Sequence, residues 1–144
     1  MNDNKRPIIV VADDDRDISE LIKMQLTRHG FDVYIAENGE TALELIVEHQ
    51  PAVVLLDIMM PKMSGVEVAR RIRDDPATSA IKIMMISARS SGRIEAGLDG
   101  RDNLDNLDIA DYITKPFSPN ELVKRINNVI NGEGRDRDSE LPIT

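Results

Sequence analysis

The run Pro7-Ile8-Ile9-Val10-Val11-Ala12 is apolar at every position, is rich in β-branched residues, and stops abruptly at Asp13-Asp14-Asp15. A segment without a polar face must be covered on both sides, which fits a central strand of a parallel sheet, and Pro7 is tolerated because it opens the strand. The pattern repeats down the chain. Ala52 to Leu56 forms a second such run and ends in Asp57, Ile81 to Ile86 closes on Ser87-Ala88, and Ala110 to Thr114 closes on Lys115-Pro116-Phe117. Phe31-Asp32-Val33-Tyr34-Ile35 instead alternates, as a strand with one less-covered face would.

Helical stripes separate these runs. Ile18, Leu21, Ile22 and Leu26 recur at three- and four-residue spacings and are expected in the core, and Gly30 ends the stripe. Asn38-Gly39 marks a turn or helix start, and Ala42, Leu43, Leu45, Ile46 and Val47 carry a helix to about His49-Gln50-Pro51. Ser64 and Glu67 form a capping-box pattern before a helix that Asp74-Asp75-Pro76 breaks. Ser118-Pro119-Asn120-Glu121 combines a capping serine, a proline at the first helical position and a glutamate at the third. Leu122, Val123, Ile126, Val129 and Ile130 continue that helix until Gly132 and Gly134. Five strands alternating with helices predict an α/β, doubly wound parallel sheet with helices on both faces. Function is then expected at the carboxyl ends of the strands, near the point where strand order reverses.

A chain of 144 residues has room for one core. Residues 1–131 read as one domain and 132–144 as a charged flexible tail or the start of a linker. The net charge of −8 argues against a general nucleic-acid or anionic-membrane surface. No cysteine is present, which excludes disulfides and thiolate metal sites. No apolar stretch resembles a signal-peptide core or a bilayer span, so a cytoplasmic address is the default expectation. His29 and His49 follow apolar stretches at helix ends and read as capping or surface residues.

Asp13-Asp14-Asp15, Asp57, Ser87 and Lys115 all follow strand ends, so a parallel sheet would carry them to one edge. Each has an ordinary explanation alone: a helix N-terminus rich in acids, a loop aspartate, a surface lysine. Independent surface charges would follow strand ends only occasionally. Carboxylates held close together repel unless a cation neutralises them, and a hard, oxygen-liganded ion such as Mg2+ does so while also holding phosphate. The constellation points to a metal-dependent phosphate site with an aspartate as nucleophile and a lysine to balance phosphoryl oxygens.

The sequence from about residue 7 to 131 resembles the response-regulator receiver family of two-component phosphorelays. The resemblance rests on Val10-Val11-Ala12-Asp13-Asp14-Asp15, on Leu55 to Gly65 with Asp57, Pro61 and Gly65, on Ser87-Ala88 and on Lys115-Pro116-Phe117. It implies a flavodoxin-like strand order 2-1-3-4-5 and Asp57 as the phosphoacceptor. Mg2+, with Mn2+ as an alternative, would be held by Asp14, Asp57, the Met59 backbone carbonyl and, through water, Asp13. Lys115 and Ser87 would take phosphoryl oxygens, with Ser87 and Tyr112 as switch residues and Pro61, Gly65 and Pro116 shaping loops. The donor would be a sensor histidine kinase or a histidine phosphotransfer domain. A downstream protein target would read the surface of the helix before strand five, strand five and the last helix, with homodimerisation on activation a further option. The chain would not be an enzyme in the ordinary sense but a phosphoacceptor that assists its own phosphorylation and dephosphorylation. Met59, Met60 and Met63 are expected to pack around the acidic loop.

Ser87 and Lys115 are separated by a longer segment than compact family members use. Gly92 to Asp108 is rich in glycine, aspartate and asparagine, which makes poor helix, so the fourth helix is expected to be irregular or extended. Asp99-Gly100-Arg101-Asp102-Asn103-Leu104-Asp105 lacks the spacing of a calcium loop. Two competing functions remain: a receiver-like docking module that works without phosphorylation, and a small Mg2+-dependent phosphatase passing through an aspartyl phosphate. The intact acidic set weighs against the first, and the lack of chain for a lid against the second. A flavin-binding domain would place its cofactor phosphate against three acids.

Overall fold

The β-branched runs and amphipathic stripes become β1 (Ile8–Ala12), α1 (Arg16–Arg28), β2 (Asp32–Ala36), α2 (Gly39–His49), β3 (Val53–Asp57), α3 (Gly65–Asp74), β4 (Lys82–Ser87), β5 (Asp111–Thr114) and α4 (Pro119–Ile130). This computed structural model describes residues 6–87 and 107–132. The helix expected between β4 and β5 and the tail after residue 132 lie outside the described residues. All strand pairs are parallel, and the sheet order is β2-β1-β3-β4-β5. The two expectations of a doubly wound sheet and of this order are both met.

Strand parity divides the core. Val10, Ala12, Val54, Leu56, Ile83 and Met85 pack with α2 and α3 on one face. Ile9, Val11, Val53, Leu55, Met84 and Ile86 pack with α1 and α4 on the other. β3 is buried at all of its positions, which is why its sequence shows no alternation. Each aliphatic side chain buried there contributes roughly 1.5–3 kcal/mol of transfer free energy.

Side-chain caps set the helix starts. Asp15, Asn38, Ser64 and Ser118 accept from the backbone N–H groups of Ile18, Thr41, Glu67 and Glu121. The capping box at α3 is only half made. Ser64 caps, but the Glu67 carboxylate is taken by Arg70 and Arg71 at 3.1 and 3.0 Å. Gly30 ends α1 with φ +94°, a conformation that costs glycine little.

Two expectations fail on the helices. Leu21 is 58% exposed, because the buried stripe of α1 runs through Ile22 and Leu26. His49 is more than a surface residue: its ring stacks on Tyr34 with centroids 4.0 Å apart and planes 12° from parallel.

Arg73, near the end of α3, fastens the far side of the fold. Its guanidinium donates to the carbonyls of Leu107, Ser79, Ile81 and Asp108 at 2.7, 2.8, 2.7 and 3.0 Å. These bonds tie the chain entering β4 to the chain approaching β5. No helix among the described residues is long and apolar enough to cross a membrane.

Candidate functional site

β1 and β3 are adjacent and parallel, with Ala12 opposite Leu56, so Asp13 and Asp57 leave the sheet side by side. Asp13, Asp14 and Asp57 each present a carboxylate oxygen within 4.8 Å of the others. Asp13 and Asp57 are buried and Asp14 is exposed. The third acid of the run does different work. Asp15 caps α1, and its backbone N–H donates to Asp13 Oδ1 at 2.9 Å.

Lys115, just past β5, reaches into this cluster. Its Nζ lies 3.1 Å from Asp13 Oδ2 and 3.4 Å from Asp57 Oδ2. The contact with Asp13 has ion-pair distance but not hydrogen-bond geometry, so Asp13 Oδ2 is buried without a directed donor among the described residues. Asp57 Oδ1 accepts from the Met59 backbone N–H at 3.1 Å.

These neighbours set the charge. Burial, repulsion from the Asp13 carboxylate and the hydrogen bond that a protonated Asp57 donates to Asp13 raise the Asp57 pKa from its ordinary 3.8 to about 7, against the opposing pull of Lys115 and the Met59 N–H. An aspartate here is therefore not fully ionised at neutrality as its residue type alone suggests. Burial works to lower the Lys115 pKa, but the carboxylates of Asp13 and Asp57 outweigh it and the net shift is upward. One ammonium sits between two buried acids, leaving the pocket with excess negative charge.

Ser87, at the end of β4, is buried, and its hydroxyl has no hydrogen-bond partner among the described residues. A buried orphan hydroxyl costs about 1–3 kcal/mol and is usually kept for a purpose. Its carbonyl accepts from the Lys115 N–H at 2.9 Å, so the backbones of these two residues are joined directly. Together with the acid cluster and the undirected Asp13 oxygen, this set of hard oxygen donors fits a divalent cation and an anionic phosphate group.

The loop after β3 is held by close approach. A Cβ on Gly65 would collide with the Asp57 carbonyl oxygen and lie 2.9 Å from its carbonyl carbon, while the Gly65 N–H donates to the Ile58 carbonyl at 2.9 Å. Gly65→Ala should therefore displace Asp57 or the start of α3. We expect a loss of about 2–4 kcal/mol in urea unfolding, typical of core overpacking and backbone strain. Lys62 in the same loop has φ +67°, and the Lys115-Pro116 peptide is cis. Met60 and Met63 pack against the core, but Met59 is 65% exposed, contrary to the expected packing role. Tyr112 on β5 is half-buried against the α2/α3 face and is not part of the acid cluster.

Sequence reasoning missed Arg125 and Arg73. Arg125 on α4 donates to the Tyr112 carbonyl at 2.7 Å and pairs with the buried Asp111 at 3.1 Å, locking β5 to the last helix. Nothing in a charged helical position distinguishes such an arginine from a solvated one.

Comparison with known proteins gives a consistent picture. The model for the response regulator receiver domain matches residues 9–127. The phosphate regulon transcriptional regulatory protein PhoB of Pseudomonas aeruginosa is 40% identical over 135 residues, covering 94% of this chain and 56% of PhoB. The transcriptional regulatory protein SrrA of Staphylococcus aureus is 39% identical over 125 residues, covering 85% of this chain and 47% of SrrA. The chain thus spans about half the length of these relatives. Among solved structures, the receiver domain of Francisella response regulator 1452 is similar at TM-score 0.72 and 32% identity, covering 87% of this chain and 97% of that one. A CheY-like receiver domain protein of Methanospirillum hungatei gives TM-score 0.76 at 25% identity, with 90% and 97% covered.

Proposed function

This chain belongs to the response regulator receiver domain family, and from that premise we propose that it takes a phosphoryl group from a phosphohistidine donor onto Asp57. The observation that carries this reading is the convergence of Asp13, Asp14, Asp57 and Lys115 at the carboxyl edge of the sheet. The donor is a sensor histidine kinase or a histidine phosphotransfer domain. An Asp57 carboxylate oxygen attacks phosphorus, the bond to the donor imidazole nitrogen breaks, and that nitrogen keeps the electron pair. The product is an acyl phosphate. Lys115 balances charge on the phosphoryl oxygens, and the orphan Ser87 hydroxyl has an acceptor waiting in the same group.

Asp14, Asp57, the Met59 carbonyl and, through water, Asp13 would hold Mg2+ or Mn2+. Such an ion, when bound, would neutralise the acids, favour the ionised form of Asp57 and screen the incoming phosphoryl charge. Ser87 and Tyr112 then bias a two-state surface that includes β5 and α4, and a downstream protein reads it. By linkage, a target that prefers the phosphorylated state also promotes phosphorylation. PhoB and SrrA are transcriptional regulators by name, so a transcriptional output is the natural first class of target to test.

The test is intact-mass analysis after incubation with acetyl phosphate, with and without Mg2+, followed by peptide mapping. The expected result is a single Mg2+-dependent, base-labile phosphoryl adduct on the peptide that contains Asp57. An adduct on another residue would overturn the assignment. So would a folded chain that stays unlabelled by both acetyl phosphate and phosphohistidine donors, and a docking module independent of phosphorylation would replace it.

A further inference from the structure

The phosphoacceptor loop is pressed from two sides, and only one of them is the contact of Gly65 with Asp57. The second is Gly39, the buried first residue of α2. An ideal Cβ at Gly39 would lie 2.6 Å from Met63 Cβ, 2.9 Å from the Met63 carbonyl oxygen and 2.9 Å from Val68 Cγ2. Two of these three atoms sit on or next to the backbone of the loop, so a rotamer change cannot clear them. Asn38 meanwhile fixes the start of α2 by accepting from Thr41 N–H at 2.9 Å, and Ala42 N–H donates to the Asn38 carbonyl at 3.1 Å. The helix start is pinned, and the loop is the part that would have to move.

Met63 is tied tightly to the rest of its loop. Its N–H donates to the Pro61 carbonyl at 2.7 Å, across the positive-φ Lys62, and two residues later Gly65 N–H closes back on the Ile58 carbonyl. A shift of Met63 therefore propagates toward Met59, whose N–H holds Asp57 Oδ1. We infer that Gly39 is a positioning residue for the phosphoacceptor: by presenting no side chain, the first turn of α2 seats Met63 and with it the loop that orients Asp57. This rests on the phosphoacceptor reading above for its chemical consequence, but its geometric part stands without it. The role differs from helix capping, because Gly39 itself has an ordinary negative-φ helical position and is required for what lies opposite rather than for its own conformation.

The experiment compares Gly39→Ala with Val47→Gly, which weakens the same helix at an exposed position away from the loop. Both are assayed well below their melting temperatures, by labelling with acetyl phosphate at saturating Mg2+ and by amide chemical shifts of residues 58–64. Gly39→Ala is expected to label about tenfold or more slowly and to shift the Met59 and Met63 amides, since small misplacements of a reacting group carry penalties of that size. Val47→Gly is expected to keep the parent rate and the parent loop shifts. Parent-like labelling and loop shifts in folded Gly39→Ala, or equal slowing in both variants, would overturn the inference. Should Gly39→Ala fail to fold, Met63→Gly removes the contact from the loop side, and parent-rate labelling in that variant would overturn it equally. If the parent chain takes no label at all, the phosphoacceptor reading has failed, and the loop shifts alone decide whether Gly39 positions the loop.

Discussion

Asp57→Asn is expected to take up no phosphoryl group and, in Mg2+-free buffer near pH 8, to be more stable than the parent by about 2–4 kcal/mol. The loss of labelling follows because an amide oxygen is a poor nucleophile toward phosphorus and would leave no stable acyl phosphate. The gain in stability follows from the sign of the pKa shift. The folded state raises Asp57 from 3.8 to about 7, so between those values the native chain binds a proton that the unfolded chain has released. Stability therefore falls as pH rises through that window, and the whole cost is present above about 7. Asparagine carries no charge and escapes it. Urea unfolding at pH 4 and pH 8 should show the two chains converging in acid and separating in base. Added Mg2+ should stabilise the parent more than the variant, because the variant lacks one carboxylate ligand. An identical pH dependence for both chains would refute the electrostatic account of the pocket.

Lys115→Met acts in the opposite direction. It leaves Asp13 and Asp57 buried without the ammonium that lies 3.1 and 3.4 Å from them. Breaking a buried pair from one side costs about 3–5 kcal/mol, and the partial exposure of Lys115 reduces this to roughly 2 kcal/mol near neutral pH. The Asp57 pKa should rise further, so the penalty should shrink in acid, where a proton replaces the missing cation. Labelling by acetyl phosphate should slow by about a hundredfold, the usual consequence of removing one charge-stabilising group from a transfer site. Mg2+ binding should persist or strengthen, since the ammonium no longer competes for the same oxygens. Isothermal titration with Mg2+ and a labelling time course separate the two effects, and unchanged labelling would remove Lys115 from the chemistry.

Much of this architecture could be read from the chain before any coordinates. Runs such as Ile8 to Ala12 and Val53 to Leu56 are apolar throughout because helices cover both sides of β1 and β3, and that fact alone argues for a parallel sheet. The acids and the lysine were legible because they follow strand ends, where a parallel sheet gathers residues distant in sequence. What was not legible depends on contacts across the fold. The triplet Asp13-Asp14-Asp15 looks uniform, yet one member is buried beside Asp57, one is exposed in the cluster and one caps a helix. Leu21 and Ile22 are adjacent and chemically alike, and only the rotation of α1 leaves Leu21 outside. Asn38-Gly39 reads as a turn or helix start and does open α2, but the close approach of Gly39 to Met63 is something no local pattern predicts.

The anchoring around residues 87 and 107 bears on how such a chain can diversify. β4 and β5 pair in register from Met84–Asp111 to Ser87–Thr114, Lys115 N–H meets the Ser87 carbonyl, and Arg73 holds Leu107 and Asp108 from the opposite end. The chain thus leaves the sheet at Ser87 and is held again at Leu107, and both holds are made by residues that lie outside the segment between them. A change of length between residues 87 and 107 should therefore leave the register of β4 with β5, and the approach of Lys115 to Asp13 and Asp57, largely as they are.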